Sequence, residues 1–132
     1  MEPIAVATVI VLAEYFGFSV LTALARAKAK IAAPATVGEP NFERHFRVQQ
    51  NTLEQLIIFL PALWMFGTYV HPLWGAALAL LFVVGRFMYY RGYVADPVKR
   101  GRGFVVGEVA QGILLAGALL GALASWLGWG AR

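Results

Sequence analysis

Long apolar runs divide the chain, and polar residues intrude on them unevenly. Ile4 to Ala25 is apolar apart from one charge, Glu14. Phe104 to Trp129 is apolar apart from Glu108 and Gln111 near its start, and it ends in Trp126 and Trp129. About 20 apolar residues in a helix cross a hydrocarbon core of roughly 30 Å. Each of these runs therefore predicts a spanning helix, the last with aromatic anchors at an interface. The two middle runs are shorter: Leu56 to Val70 is 15 residues without an ionic group, and Leu73 to Gly85 is 13. Each reaches crossing length only by absorbing its polar neighbour, Glu43 to Gln55 before the second run and Arg86 to Tyr93 after the third. The short "HPLW" turn, His71 to Trp74, joins them on one side, so both polar ends lie together on the other. The stretch Ala32 to Asn41, "AAPATVGEPN", reads as a loop by its Pro and Gly. The pattern predicts an all-α, integral membrane four-helix bundle running up-down-up-down. It forms one domain over 1–132, with helices at about 3–31, 43–70, 73–95 and 103–129.

Composition agrees with a membrane reading. The chain is 60% hydrophobic and 14% charged, too apolar for the surface of a soluble domain of this size. The first run has no basic stretch before it and is longer than a signal core, so it is expected to be structure and not a cleaved leader. The absence of cysteine excludes disulfides, thiolate metal sites and a cysteine nucleophile. With only His45 and His71, far apart, no metal centre is expected. Ten of the eleven Lys and Arg fall in two clusters. Arg26, Lys28, Lys30, Arg44 and Arg47 surround the first connection; Arg86, Arg91, Lys99, Arg100 and Arg102 surround the third. In an up-down-up-down bundle those connections share a face, which the positive-inside rule makes cytoplasmic, with both termini on the opposite side. Topology thus accounts for the net charge of +4 without nucleic acid.

Polar side chains at membrane depth normally face the bundle interior or an aqueous cavity. Glu43, Arg47, Asn51 and Glu54 recur at +4, +4 and +3 and so share a helix face, as do Arg86, Tyr89 and Tyr93. Asp96-Pro97 then disfavours helix continuation, and Lys99 and Arg100 follow. These residues would wall a polar chamber on the cytoplasmic side. Guanidinium forks match carboxylates, while Glu54 and Asn51 suit an ammonium or amide donors. A small zwitterion with more than one carboxylate fits that inventory, and glutathione is one. The blander alternative is that the stripes are interhelical glue, with Glu43 and Arg47 paired along one helix.

"FERHFRVQQNTLE", Phe42 to Glu54, resembles the second-helix signature of the MAPEG family, the membrane-associated proteins in eicosanoid and glutathione metabolism. "GRFMYYRGY", Gly85 to Tyr93, resembles the family's third-helix end. Against a leukotriene-forming member of the family the resemblance runs without a gap from about Glu14 to Arg100, and the chain looks like a bacterial-type member similar to the microsomal glutathione S-transferases. It implies a homotrimer of four-helix protomers with glutathione between neighbouring subunits. Arg47, Gln49, Asn51 and Glu54 match glutathione-holding positions, Tyr89 and Tyr93 match phenols lining the peptide, and Arg26 matches an arginine reaching over from the adjacent subunit. Arg100 matches the arginine thought to stabilise the thiolate. The function implied is a membrane-bound glutathione transferase or peroxidase: glutathione is co-substrate, and a hydrophobic electrophile or lipid hydroperoxide arrives from the bilayer. Gln55 departs from the Tyr frequent in eicosanoid-making members, and Arg91 adds a charge inside the third-helix motif.

Two alternatives stand beside this. Small multidrug-resistance transporters are also four-helix chains with an essential first-helix glutamate, a part Glu14 could take in proton-coupled export. A family member that binds glutathione without turning it over is the other. Glu14 is expected to hydrogen-bond a neighbouring helix and Glu108 to pair with Arg102 or Arg86. The glycines Gly103, Gly107, Gly117 and Gly121 suit close helix approach, within or between protomers.

Overall fold

The computed structural model describes residues 1–129. Four helices follow one another: α1 (Glu2–Ala29), α2 (Pro40–Tyr69), α3 (Pro72–Ala95) and α4 (Gly101–Trp126), with a 3-10 turn at Pro97–Arg100 between the last two. Local chemistry sets the breaks. α1 closes on Lys30, whose left-handed φ of 56° lets the Lys30 and Ile31 amides donate to the carbonyls of Ala27 and Arg26. α2 starts at Pro40, inside the expected loop, because the Glu39 carboxylate caps it by accepting from the amides of Asn41 and Phe42 at 2.9 and 2.7 Å. Those two donors hold the Glu39 carboxyl below the usual glutamate range. His71, read from sequence as a turn residue, is the N-cap of α3; its Nδ1 accepts from the Leu73 amide at 3.2 Å. Asp96 does the same for the 3-10 turn through Val98.

α1, α3 and the Pro97–Trp126 segment are long and apolar enough to cross a membrane; α2, with its polar first half, is not among them. The bundle's outer face is apolar, with Val9, Phe16, Ile57, Trp74, Leu119 and Trp126 all exposed, as suits a lipid-facing surface. Inside, α2 packs against the other three helices and α3 against α4. Phe59 and Phe82 stack at 3.9 Å between ring centroids, next to fully buried Leu63 and Leu114. The glycine pattern resolves in favour of contacts within the chain. A methyl on Gly103 would strike the Tyr89 backbone, one on Gly85 would lie 2.6 Å from the Gly107 nitrogen, and one on Gly121 would lie 2.8 Å from the Tyr69 carbonyl oxygen. Their absent side chains let α4 lie directly on α3 and on the end of α2.

Candidate functional site

Three polar ties join the first three helices at the Arg100 end. Thr22 of α1 donates to the His45 carbonyl at 3.1 Å, and Arg44 of α2 donates to the Val94 carbonyl at the end of α3, also at 3.1 Å. Deeper down, Arg86 donates to Thr52 at 2.9 Å and lies over the Tyr89 ring, 4.3 Å from its centroid. Arg86 is only 1% exposed. Burying a guanidinium is costly unless charge and hydrogen bonds offset it, and Glu14 and Glu108 both act on it electrostatically. The Thr52 bond and the Tyr89 ring hold Arg86 beside Tyr89, which lines the cavity described next.

That cavity, about 460 Å³, is lined by Arg47 and Asn51 of α2, Tyr89 and Tyr93 of α3, Arg100 of the 3-10 turn and Phe104 of α4. Five residues singled out in the sequence therefore share one hollow. Arg47 pairs with Glu54 at 3.7 Å, each side chain about half exposed. The pairing of Arg47 with Glu43 considered above does not form; Glu43 turns back to accept from the Gly38 amide at 3.0 Å. Asn51 keeps a buried Oδ1 with no hydrogen-bond partner, an acceptor left for something else to satisfy. Arg100 is held at the rim by donating to the Pro97 carbonyl at 3.0 Å, with its guanidinium 5.9 Å from the Tyr93 ring centroid.

Three expected site residues do not line the hollow on this chain: Glu54, which reaches Arg47, together with Arg26 and Gln49. Arg26 donates to the Ala35 carbonyl and lies over the Phe42 ring at 4.5 Å. Gln49 is partly exposed on α2 and is not among the lining residues. Phe104 was missed by sequence reasoning because an apolar residue at a helix start reads as lipid-facing. Gln55 turns inward, where its Oε1 accepts from Gln111 of α4 at 2.8 Å. Glu14 Oε1 is buried with no partner, so the hydrogen bond expected for it is not made there. Glu108 forms no ion pair within 4.0 Å among the described residues. Nor do three His, Asp or Glu side chains converge there as metal ligands would.

The sequence profile of the MAPEG family matches residues 4–120. The chain belongs to the MAPEG family. It is 42% identical to the human microsomal glutathione S-transferase 2 over 106 residues, 80% of this chain and 70% of that protein. It is 35% identical to the guinea-pig (Cavia porcellus) leukotriene C4 synthase over 123 residues, 93% of this chain and 81% of that one. It is also 48% identical to the uncharacterized protein sll1147 of Synechocystis over 99 residues, 75% and 72% of the two chains. MAPEG membership and the apolar outer face agree in making this an integral membrane protein, and they leave the transporter reading without a supporting observation.

Proposed function

We propose that this MAPEG protein is a glutathione transferase that ionises the glutathione thiol and joins it to hydrophobic electrophiles, with reduction of lipid hydroperoxides as a second outlet. The observation that carries the reading is the hollow itself. Two arginines, two tyrosines and an asparagine line one space of about 460 Å³, within the usual range for a small-ligand pocket. Arg47 binds a glutathione carboxylate as a fork, Asn51 takes an amide N–H of the peptide, and Glu54 holds the ammonium while staying near Arg47. Gln49 adds a contact at the exposed side, and Tyr89 and Tyr93 pack along the backbone. Arg26 completes the site from a neighbouring subunit of a homotrimer, which fits its position outside the hollow of its own chain.

The chemistry asks for a thiolate at neutral pH. A free thiol has a pKa near 8.5 and only its anion is a good nucleophile. Arg100 cannot accept the proton because it stays charged; it stabilises the anion electrostatically while the proton leaves to water. The sulfur lone pair then forms the S–C bond as the leaving group departs with its electron pair. With a hydroperoxide, sulfur attacks the terminal oxygen and the O–O bond breaks, giving a glutathione sulfenic acid and an alkoxide that takes a proton. A second glutathione thiol then attacks the sulfenic sulfur and displaces its oxygen as water to give the disulfide. Electrophile and hydroperoxide arrive from the bilayer past Phe104, the apolar edge of the hollow. The 30 residues of α2 span about 45 Å at 1.5 Å per residue, enough for a fourth crossing, with the basic connections cytoplasmic and both termini opposite. Calorimetric titration of the detergent-purified protein with glutathione, followed by a conjugation assay with a soluble aryl halide, tests the proposal. Saturable binding with turnover supports it. Binding without turnover points to the non-catalytic scaffold, and no binding removes both.

A further inference from the structure

On the other side of the 3-10 turn lies a second and larger cavity, about 610 Å³, walled by Met88 and Arg91 of α3, Val98 and Lys99 of the turn, and Arg102 and Gly103 of α4. It is separate from the thiol site, and Arg91 on its wall is the charge that departs from the family's third-helix motif. The turn is a shared wall, with Arg100 facing the first cavity and Val98 and Lys99 lining the second. Three cations meet here and no acid lines the space. The ion pairs among the described residues are Arg47 with Glu54 and the N-terminus with Glu2, so Arg91, Lys99 and Arg102 are not in one. Neither of the acids nearest in sequence lines the cavity: Asp96 accepts from the Val98 amide at 3.1 Å, and Glu108 lies on α4 outside the lining residues.

Below the cations the surface turns apolar in two lines. Met88 and Val84 precede Arg91 by three and seven residues on α3, and Val105 and Val109 follow Arg102 by three and seven on α4, all four exposed. Such spacing keeps each line on the face of its cation. α3 and α4 meet in backbone contact at Gly85 and Gly103. The two lines lie on the outward faces to either side of that seam, so the surface leading from the cavity along the spanning helices is apolar. A cationic hollow at the membrane-facing end of two helices, continued by an apolar surface, has the shape of an amphiphile with an anionic head.

We propose that this cavity binds the phosphate headgroup of an anionic phospholipid, with an acyl chain along the α3–α4 seam. Arg forks match phosphate oxygens bidentately, and basic pockets between spanning helices at a membrane surface suit acidic headgroups. Free phosphate would use the cations and leave the seam empty, and a zwitterionic lipid would bring a positive group into a hollow that has no acid to receive it.

The test is native mass spectrometry of the full chain released from detergent with phosphatidylglycerol or with phosphatidylcholine of the same chains. Wild type is expected to hold one phosphatidylglycerol per chain with at least about tenfold preference. Arg91→Gln/Lys99→Gln/Arg102→Gln is expected to remove that preference, and Lys28→Gln/Lys30→Gln, which takes charge from the same end but outside the cavity, to keep it. Should the triple variant fold poorly, Val98→Glu puts an acid at the exposed wall and is expected to reduce the preference on its own. Equal retention of both lipids overturns the proposal, as does equal loss in the Lys28/Lys30 variant. Displacement by inorganic phosphate at matched concentration, or tighter retention of a free fatty acid, overturns the assignment to a phospholipid headgroup. None of these readouts uses glutathione, so the proposal stands or falls apart from the thiol site.

Discussion

At the His71 end of the bundle the helices close on one another: Phe66 packs over Gly117, Gly75 and Gly67 receive Ile4, and Gly121 meets the end of α2. At the Arg100 end α2 and α3 stay apart around a hollow lined by arginines, tyrosines and an amide. The His71 end keeps an apolar groove between α1 and α3, whereas the Arg100 end holds a polar hollow, and sequence makes the difference. Small residues and rings alternate where the chain closes, whereas long polar side chains at helical spacing prop it open and draw the ties of Arg44, Thr22 and Arg86 around the rim. Lipid tails are as apolar as leucine, so packing and internal hydrogen bonds hold such a bundle together more than exclusion of water does. The closed end supplies the packing, and the open end keeps its polarity around the hollow.

The strongest way to break this division is where the two regimes touch. Gly103→Ala pushes a methyl into the Tyr89 backbone, an atom that cannot rotate away, and is expected to cost about 3 kcal/mol or more along with glutathione binding. Gly107→Ala, four residues on, meets only side-chain atoms at 3.8 Å and is expected to stay within about 0.5 kcal/mol of wild type. Thermal unfolding of both in one detergent reads the contrast. Equal losses would mean that the helices are not seated as described.

Phe59→Ala removes one ring of the 3.9 Å stack in the core. A loss of about 3 kcal/mol is expected, with glutathione affinity in the still-folded protein unchanged within about twofold. A parallel fall in affinity would show that core and hollow are not separable. Arg47→Ala is expected to do the reverse. Its pair with Glu54 is half exposed at 3.7 Å, so stability moves by less than about 0.5 kcal/mol. Loss of a charge-assisted bond to the ligand lowers affinity about tenfold or more by calorimetry.

Much of this was legible in the sequence. The four helices follow from apolar run length, and the Asp96-Pro97 break from the restriction proline puts on its predecessor. Four lining residues, Arg47, Asn51, Tyr89 and Tyr93, could be named because their helical spacing puts them on shared faces. Arg100 was named from its place just past the Asp96-Pro97 break and from the family motif. What was not legible depends on partners distant in sequence. Arg86 counted as one more member of a stripe, and only the packing of α1, α2 and α4 around it reveals a buried cation between Thr52 and Tyr89. The α4 glycines could have faced another protomer, since spacing does not say which helix they meet. The start of α2 lay in an expected loop because a Pro-Gly-rich stretch hides a Glu39 cap that only backbone geometry displays.

That cap gives the smallest expected effect. Glu39 has its folded pKa depressed, so the stability it contributes is full above its unfolded value of about 4.3. That stability is lost as pH falls through the lower folded value. Melting temperatures of wild type and Glu39→Gln are expected to differ slightly at neutral pH and to converge in acid. A gap that widens on acidification would contradict the assignment.

The central claim is that Arg100 keeps the sulfur of bound glutathione ionised. It is tested most directly by the ultraviolet thiolate absorbance that appears when saturating glutathione is added at neutral pH to wild type and to Arg100→Ala. The account predicts a thiolate signal in wild type, and in the variant a bound tripeptide with that signal lost and conjugation lost with it. An Arg100→Ala protein that binds glutathione, shows the full thiolate absorbance and turns over at the wild-type rate would contradict it.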